Sequence, residues 1–174
     1  MRRSTLAMTL LVAAQAGHAE DVRTAWLESL AGERIEVART TFDGSGYEID
    51  WVEAPFADHF LSMRPFRCIE GPEKHWCHVP YPYEIRRDIG EDLIDLEYDF
   101  LFIWKGAAEY GIDTWNGVYY RLEDEGERLI GRLHEIDMNV ISAPPPEGDL
   151  RPVREMDLER GDPEGHWLPR LVIE

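Results

Sequence analysis

Leu93-Ile94-Asp95-Leu96-Glu97-Tyr98-Asp99-Phe100-Leu101-Phe102-Ile103-Trp104 is the stretch on which the fold turns. Ile94, Leu96, Tyr98, Phe100, Phe102 and Trp104 recur at every second position, with Asp95, Glu97 and Asp99 between them. Period two is the pattern of a strand that lays one face on a core. Leu101 and Ile103 make the second face apolar as well, so the far half of this strand is expected to be covered on both sides. A sheet packed on another sheet, or a sheet closed on itself, does that.

Working outward, Lys105 to Asp113 reads as a connection, and the next hairpin places Val118, Tyr120 and Leu122 on one face of its first arm. Glu123 to Glu127 makes its turn, and the return arm is expected to run from Arg128 through Ile136 to Ile141, with Gly131 marking a bulge or a tight bend. Upstream, Ile35 to Phe42 and Tyr47 to Val52 alternate around Asp43-Gly44-Ser45-Gly46, a hairpin with its turn. Met63 to Cys68 and Trp76 to Tyr81 form a second hairpin, ended by Pro80-Tyr81-Pro82. Ala54 to Leu61 suggests a helical turn entered at Pro55. Val22, Trp26, Leu27 and Leu30 stand at near-helical spacing between Asp21 and Gly32, which predicts one short N-terminal helix. Trp167 to Ile173 reads as a closing strand. The predicted fold is mainly β, an antiparallel barrel or sandwich of about seven to nine strands with that helix packed on it.

Residues 1–19 read as a cleavable signal peptide: a basic Arg2-Arg3, an apolar run from Leu6 to Ala14, and small residues at Gly17 and Ala19. The run is shorter than the roughly 20 residues a membrane helix needs, and no cysteine stands at the cleavage point to carry a lipid. A general secretory route suits this signal better than a twin-arginine one, since Thr5 occupies the position where an apolar residue belongs. The expectation is therefore a protein of the periplasm or the extracellular space without stable membrane insertion, made of a single β-rich domain, residues 20–174, with a proline-rich loop at 143–148. The full chain carries a formal charge of −17, and removal of the two arginines in residues 1–19 takes it to −19. Such an acidic surface repels phosphate backbones and anionic headgroups, which argues against nucleic acid as a partner.

Cys68 and Cys77 are the only two cysteines, and in an oxidising compartment they are expected to pair across the arms of their hairpin. Closing so small a loop contributes about 2.5–3 kcal/mol. The pairing also removes both thiolates from the group Cys68, His75, Cys77 and His78, whose spacing does not match a zinc finger, so no metal or other cofactor is expected there. Two further groups are candidates for chemistry. His134 with Glu135 and Asp137 offers an imidazole beside carboxylates, the arrangement general acid–base catalysis uses. Asp95, Glu97 and Asp99, on one face of a strand, would form a carboxylate row suited to a cation. No Gly-x-Ser-x-Gly elbow and no glycine-rich phosphate loop occurs.

Tryptophan, tyrosine and phenylalanine make up 11% of the chain, enough to line an apolar pocket as well as a core. The function expected is an exported binding or accessory module, non-enzymatic, holding a small apolar ligand or a protein partner. The alternatives are a periplasmic hydrolase or lyase using His134 with its neighbouring carboxylates, or a divalent-cation binder.

Overall fold

Eleven strands join into one antiparallel sheet in the computed structural model, which describes residues 20–174; the predicted signal peptide, 1–19, lies outside the described residues. The strands are β1 (Asp21–Glu28), β2 (Arg34–Phe42), β3 (Tyr47–Trp51), β4 (Phe56–Leu61), β5 (Arg64–Glu70), β6 (Lys74–His78), β7 (Phe102–Gly106), β8 (Gly117–Asp124), β9 (Leu129–Ile136), β10 (Leu158–Arg160) and β11 (Arg170–Ile173). Their order across the sheet is β3-β2-β1-β11-β9-β8-β7-β6-β5-β4, with β10 on β9 beyond the end of β11. The sheet curls until its two ends approach: Trp51 of β3 meets Phe56 of β4 edge-to-face at 5.9 Å. No ladder joins β3 to β4 among the described residues, so the result is a half-barrel and neither a closed barrel nor a sandwich.

The concave side is filled by side chains. Trp76, Phe100, Phe102, Tyr120, Leu27 and Leu171 are fully buried there in one cluster. Its indole and phenol are hydrogen-bonded in series: Trp76 Nε1 donates to Tyr120 Oη at 3.0 Å, and Tyr120 Oη donates to the Leu168 carbonyl at 2.6 Å. A second, smaller core, containing Tyr98, Leu101, Ile103, Tyr119, Ile136, Met138 and Ile141, forms apart from the first. Among the described residues no helix is long and apolar enough to cross a membrane.

The predicted hairpins at 35–51, 64–78 and 117–136 are present, and Asp43 Oδ1 accepts from the Ser45 and Gly46 amides to hold the first turn. The strand count is eleven and not seven to nine, because segments expected as a helix and a helical turn also join the sheet, and five local readings are corrected. The alternating stretch is not one strand: Ile94–Asp99 is a short helix, α1, and only Phe102 onward enters β7. Asp92 Oδ1 accepts from the Ile94 amide at the start of the helix. Asp95 and Glu97 are buried together with Leu96 and Tyr98, so the alternation of polar and apolar residues did not mark an outside and an inside. The N-terminal segment is strand β1, not a helix. Val22 and Leu30 are exposed, whereas Ala25 and Leu27 face the core between β2 and β11; the helical spacing mixed inward and outward residues.

The remaining corrections concern irregularity in the sheet. The ladder slips between Ala25 and Trp26, which leaves the opposing Val37 unpaired and buries both Val37 and Ala38; the bulge therefore lies on β2 and not at Gly131. Gly131 keeps its register, and its role is close approach, since a Cβ there would stand 2.9 Å from Leu171 Cβ and 3.0 Å from Tyr120 Cβ. The 54–61 segment supplies strand β4, and β9 stops at Ile136, where Asp137 caps a 3-10 turn over Met138–Ile141.

Helix α1 sits where the sheet splits. Strands β7 and β8 pair only at Phe102↔Val118 and Ile103↔Gly117. Beyond that point the Leu122 amide donates to Glu97 Oε1 at 2.7 Å, and the Tyr119 hydroxyl donates to Glu97 Oε2. A helix carboxylate thus serves β8 where no strand does.

Candidate functional site

The two groups of acidic and basic residues named from sequence are separated by the fold. Asp95 accepts from Arg151 Nε at 2.8 Å, Glu97 is held by Tyr119 and Leu122, and Asp99 accepts from Tyr47 Oη at 2.9 Å and from two Arg87 nitrogens at 3.1 Å. On a helix the three cannot share one face, and each is occupied by a structural partner. His134 turns its Nδ1 to the Arg132 carbonyl of its own strand, and Asp137 caps the following turn. Glu135 instead accepts from His166 Nε2, at 2.8 Å.

His166, 31 residues away in the chain, was not singled out from sequence, because β9 and the turn before β11 are brought together only by the sheet. Its ring is buried beside Trp76 and Trp104, and its Nδ1 meets no partner. An oriented imidazole is present, but among the described residues no hydroxyl or thiol is hydrogen-bonded to it as a nucleophile.

The cysteines form a disulfide, lying directly opposite each other in the β5·β6 ladder. The alternation of β6 sends the two neighbouring histidines to opposite faces. His78 faces inward, stacked on Trp51 with ring centroids 4.0 Å apart, and its Nε2 lies 3.0 Å from the Asp99 carbonyl. That oxygen can only accept, so the Nε2 carries the proton. Burial pushes the His78 pKa down to about 4, against a smaller opposing effect of the Asp99 hydrogen bond. The unfolded chain binds a proton near the ordinary histidine pKa, about 6.5, and the folded one does not, so His78 lowers stability progressively as pH falls from about 6.5 to 4. Acid denaturation series of the protein and of His78→Gln are expected to diverge in that window, by up to about 3 kcal/mol, with the variant less pH-sensitive. Parallel curves would show that the imidazole is not desolvated.

His75 lies on the opposite side of the sheet, together with His59 of β4 and Glu70 of β5. His59 Nε2 is 3.0 Å from Glu70 Oε1, the His59 and His75 rings are 5.2 Å apart, and the three donor atoms all lie within 4.8 Å of one another. Glu70 and His75 are direct ladder partners, placed so by the Gly71-Pro72-Glu73 turn. Gly71 is required there, because a Cβ would come within 2.5 Å of the Lys74 carbonyl and 2.6 Å of the Trp167 ring. Burial first, then the charges of Lys105 and His59, hold the His75 imidazole below its ordinary range. His59 and Glu70 are 11 residues apart on different strands, a spacing that no short motif describes.

A groove of about 650 Å³ opens on the surface near this hairpin. Phe66, Val79, Ile103, Ile112, Met138 and Ile141 line it, and prolines 65, 80 and 82 contribute to its walls. The side chains beneath it belong to the smaller core and to the disulfide cluster. Met63, Tyr110 and Trp115, each a chain neighbour of a lining residue or one residue removed, are 87%, 94% and 70% exposed. Set against protein-family models, curated proteins and solved structures, the chain matches none, so its function must be argued from these surfaces.

Proposed function

We propose that the protein is an exported, non-enzymatic binding module that takes an apolar ligand into the groove beside the disulfide hairpin. The observation that carries this reading is the groove itself: its volume of about 650 Å³ falls within the range of small-molecule sites, and its lining is predominantly apolar with a few polar groups at the edge. The concave side of the sheet is filled by Trp76, Phe100 and Tyr120, which favours the outer groove over a lumen as the place for a ligand. Export is supported by the basic, apolar and small-residue pattern of residues 1–19 and by the Cys68–Cys77 bridge, which persists in oxidising compartments.

A protein partner in place of a small molecule is favoured by one observation, the exposure of Met63, Tyr110 and Trp115 near the groove. Aromatic and methionine side chains are enriched at the centres of interfaces.

Native mass spectrometry of the purified protein, combined with titration of a fluorescent fatty-acid analogue, tests the first reading. Saturable binding is expected, weakened about tenfold or more by Phe66→Asp or Ile112→Asp, either of which places a charge against the apolar wall. A bare protein that leaves the analogue free would reject the small-ligand reading.

A further inference from the structure

We propose that His59, Glu70 and His75 form a binding site for a divalent transition-metal ion of the zinc class. Two imidazoles and one carboxylate are a donor set that zinc uses when it keeps a fourth position open to water or another ligand. Imidazole donors also select against calcium and magnesium, which take oxygen ligands.

The geometry needs little adjustment. Around a tetrahedral ion with donors at about 2.0–2.1 Å, neighbouring donor atoms stand roughly 3.4 Å apart. The His59–Glu70 separation is already 3.0 Å, and the widest spacing in the group is no more than 4.8 Å. Side-chain rotation closes that difference without moving a strand. Each donor comes from a different strand of the β4-β5-β6 segment, so the site rests on paired backbone and not on a loop. The disulfide pair Cys68↔Cys77 lies two residues along the same ladder from Glu70↔His75, which fixes the register of two of the three ligands.

His75 supplies an independent pointer. Its Nδ1 is enclosed and has no hydrogen-bond partner, an arrangement that costs free energy unless something occupies it. The His59–Glu70 contact alone would be an ordinary surface pair, with Glu70 57% exposed; the unpartnered imidazole beside it is what an ion pair leaves unexplained. Lys105, the ladder partner of His75 on β7, directs its ammonium to the Gly106 carbonyl. Its positive charge opposes a bound cation, so its removal should strengthen binding. The site shares no residue with the groove lining, and the inference stands apart from the binding reading above.

Isothermal titration of the chelator-stripped protein with zinc, and cobalt absorption as a report of coordination geometry, test the proposal. One saturable site is expected, which calcium does not displace. His59→Ala and His75→Ala should each weaken zinc at least as much as the roughly 10–100-fold lost with an outer-shell partner. Glu70→Gln, which preserves the shape of the side chain, should weaken it too, and Lys105→Met should tighten it. His134→Ala, on a different strand, should leave it unchanged. Circular dichroism of each variant separates lost ligands from lost folding. Absence of zinc binding, displacement by calcium, or affinity unchanged in correctly folded His59→Ala and His75→Ala would overturn the assignment.

Discussion

Glu97→Ala is expected to destabilise the protein by about 2–5 kcal/mol, because it removes the acceptor of two buried donors at once. Glu97 is 5% exposed and serves the Tyr119 hydroxyl and the Leu122 amide where β7 has parted from β8. Without the carboxylate, both donors stay buried and unsatisfied, each at about 1–3 kcal/mol. Glu97→Gln keeps the shape and retains an acceptor oxygen, and should lose much less.

The same residue has a pH signature. Burial raises the Glu97 pKa, against smaller lowering effects of the Tyr119 and Leu122 hydrogen bonds. Between the ordinary glutamate value and the raised one, the folded state holds a proton that the unfolded chain has released. The contribution of Glu97 is therefore full below the ordinary value and declines as pH rises through the folded one. This runs opposite to His78, so the comparison must be the difference between the protein and Glu97→Gln in urea titrations over that range. Glu97→Gln should remove the decline. A Glu97→Ala variant as stable as the parent would mean that water replaces the carboxylate and that α1 is not needed to seal the split sheet.

Trp76→Ala is expected to be comparably severe, at about 3–5 kcal/mol, the usual cost of deleting a large buried aromatic side chain. Trp76 has no exposed surface, and its indole N–H donates to Tyr120 Oη, whose own hydroxyl hydrogen is donated to the Leu168 carbonyl. This relay ties β6 and β8 to the turn before β11. Tyr120→Phe should cost about 1–3 kcal/mol because it strands a donor and an acceptor together. The double variant should cost less than the sum, since both changes cut the same relay. Additive losses in a chemical-denaturation double-mutant cycle would show that the two side chains act through packing alone.

The legible parts of the fold are those where neighbouring residues decide. The turn at Asp43 to Gly46 closes on its own carboxylate, and the hairpin arms around it, around the two cysteines and around Glu123 to Glu127 alternate within a few residues of their turns. Of the candidate residues, Cys68 and Cys77 could be paired from spacing and compartment. Glu135 could be named but not its partner, because His166 reaches it only after β11 and β10 have paired with β9.

The amino-acid pattern alone thus determined an antiparallel β protein, its three hairpins and the disulfide that staples one of them, since all of these rest on contacts between residues close in the chain. Tertiary structure alone decided that Asp21–Glu28 is a central strand and that Ile94–Asp99 is a helix. In both segments the local pattern was overruled by distant partners: β2 and β11 flank the first, while Arg151, Tyr119 and Leu122 supply hydrogen bonds that let the carboxylates of the second be buried. Buried polar groups go where their partners are, and so do His59, Glu70 and His75, which meet only because three strands lie side by side.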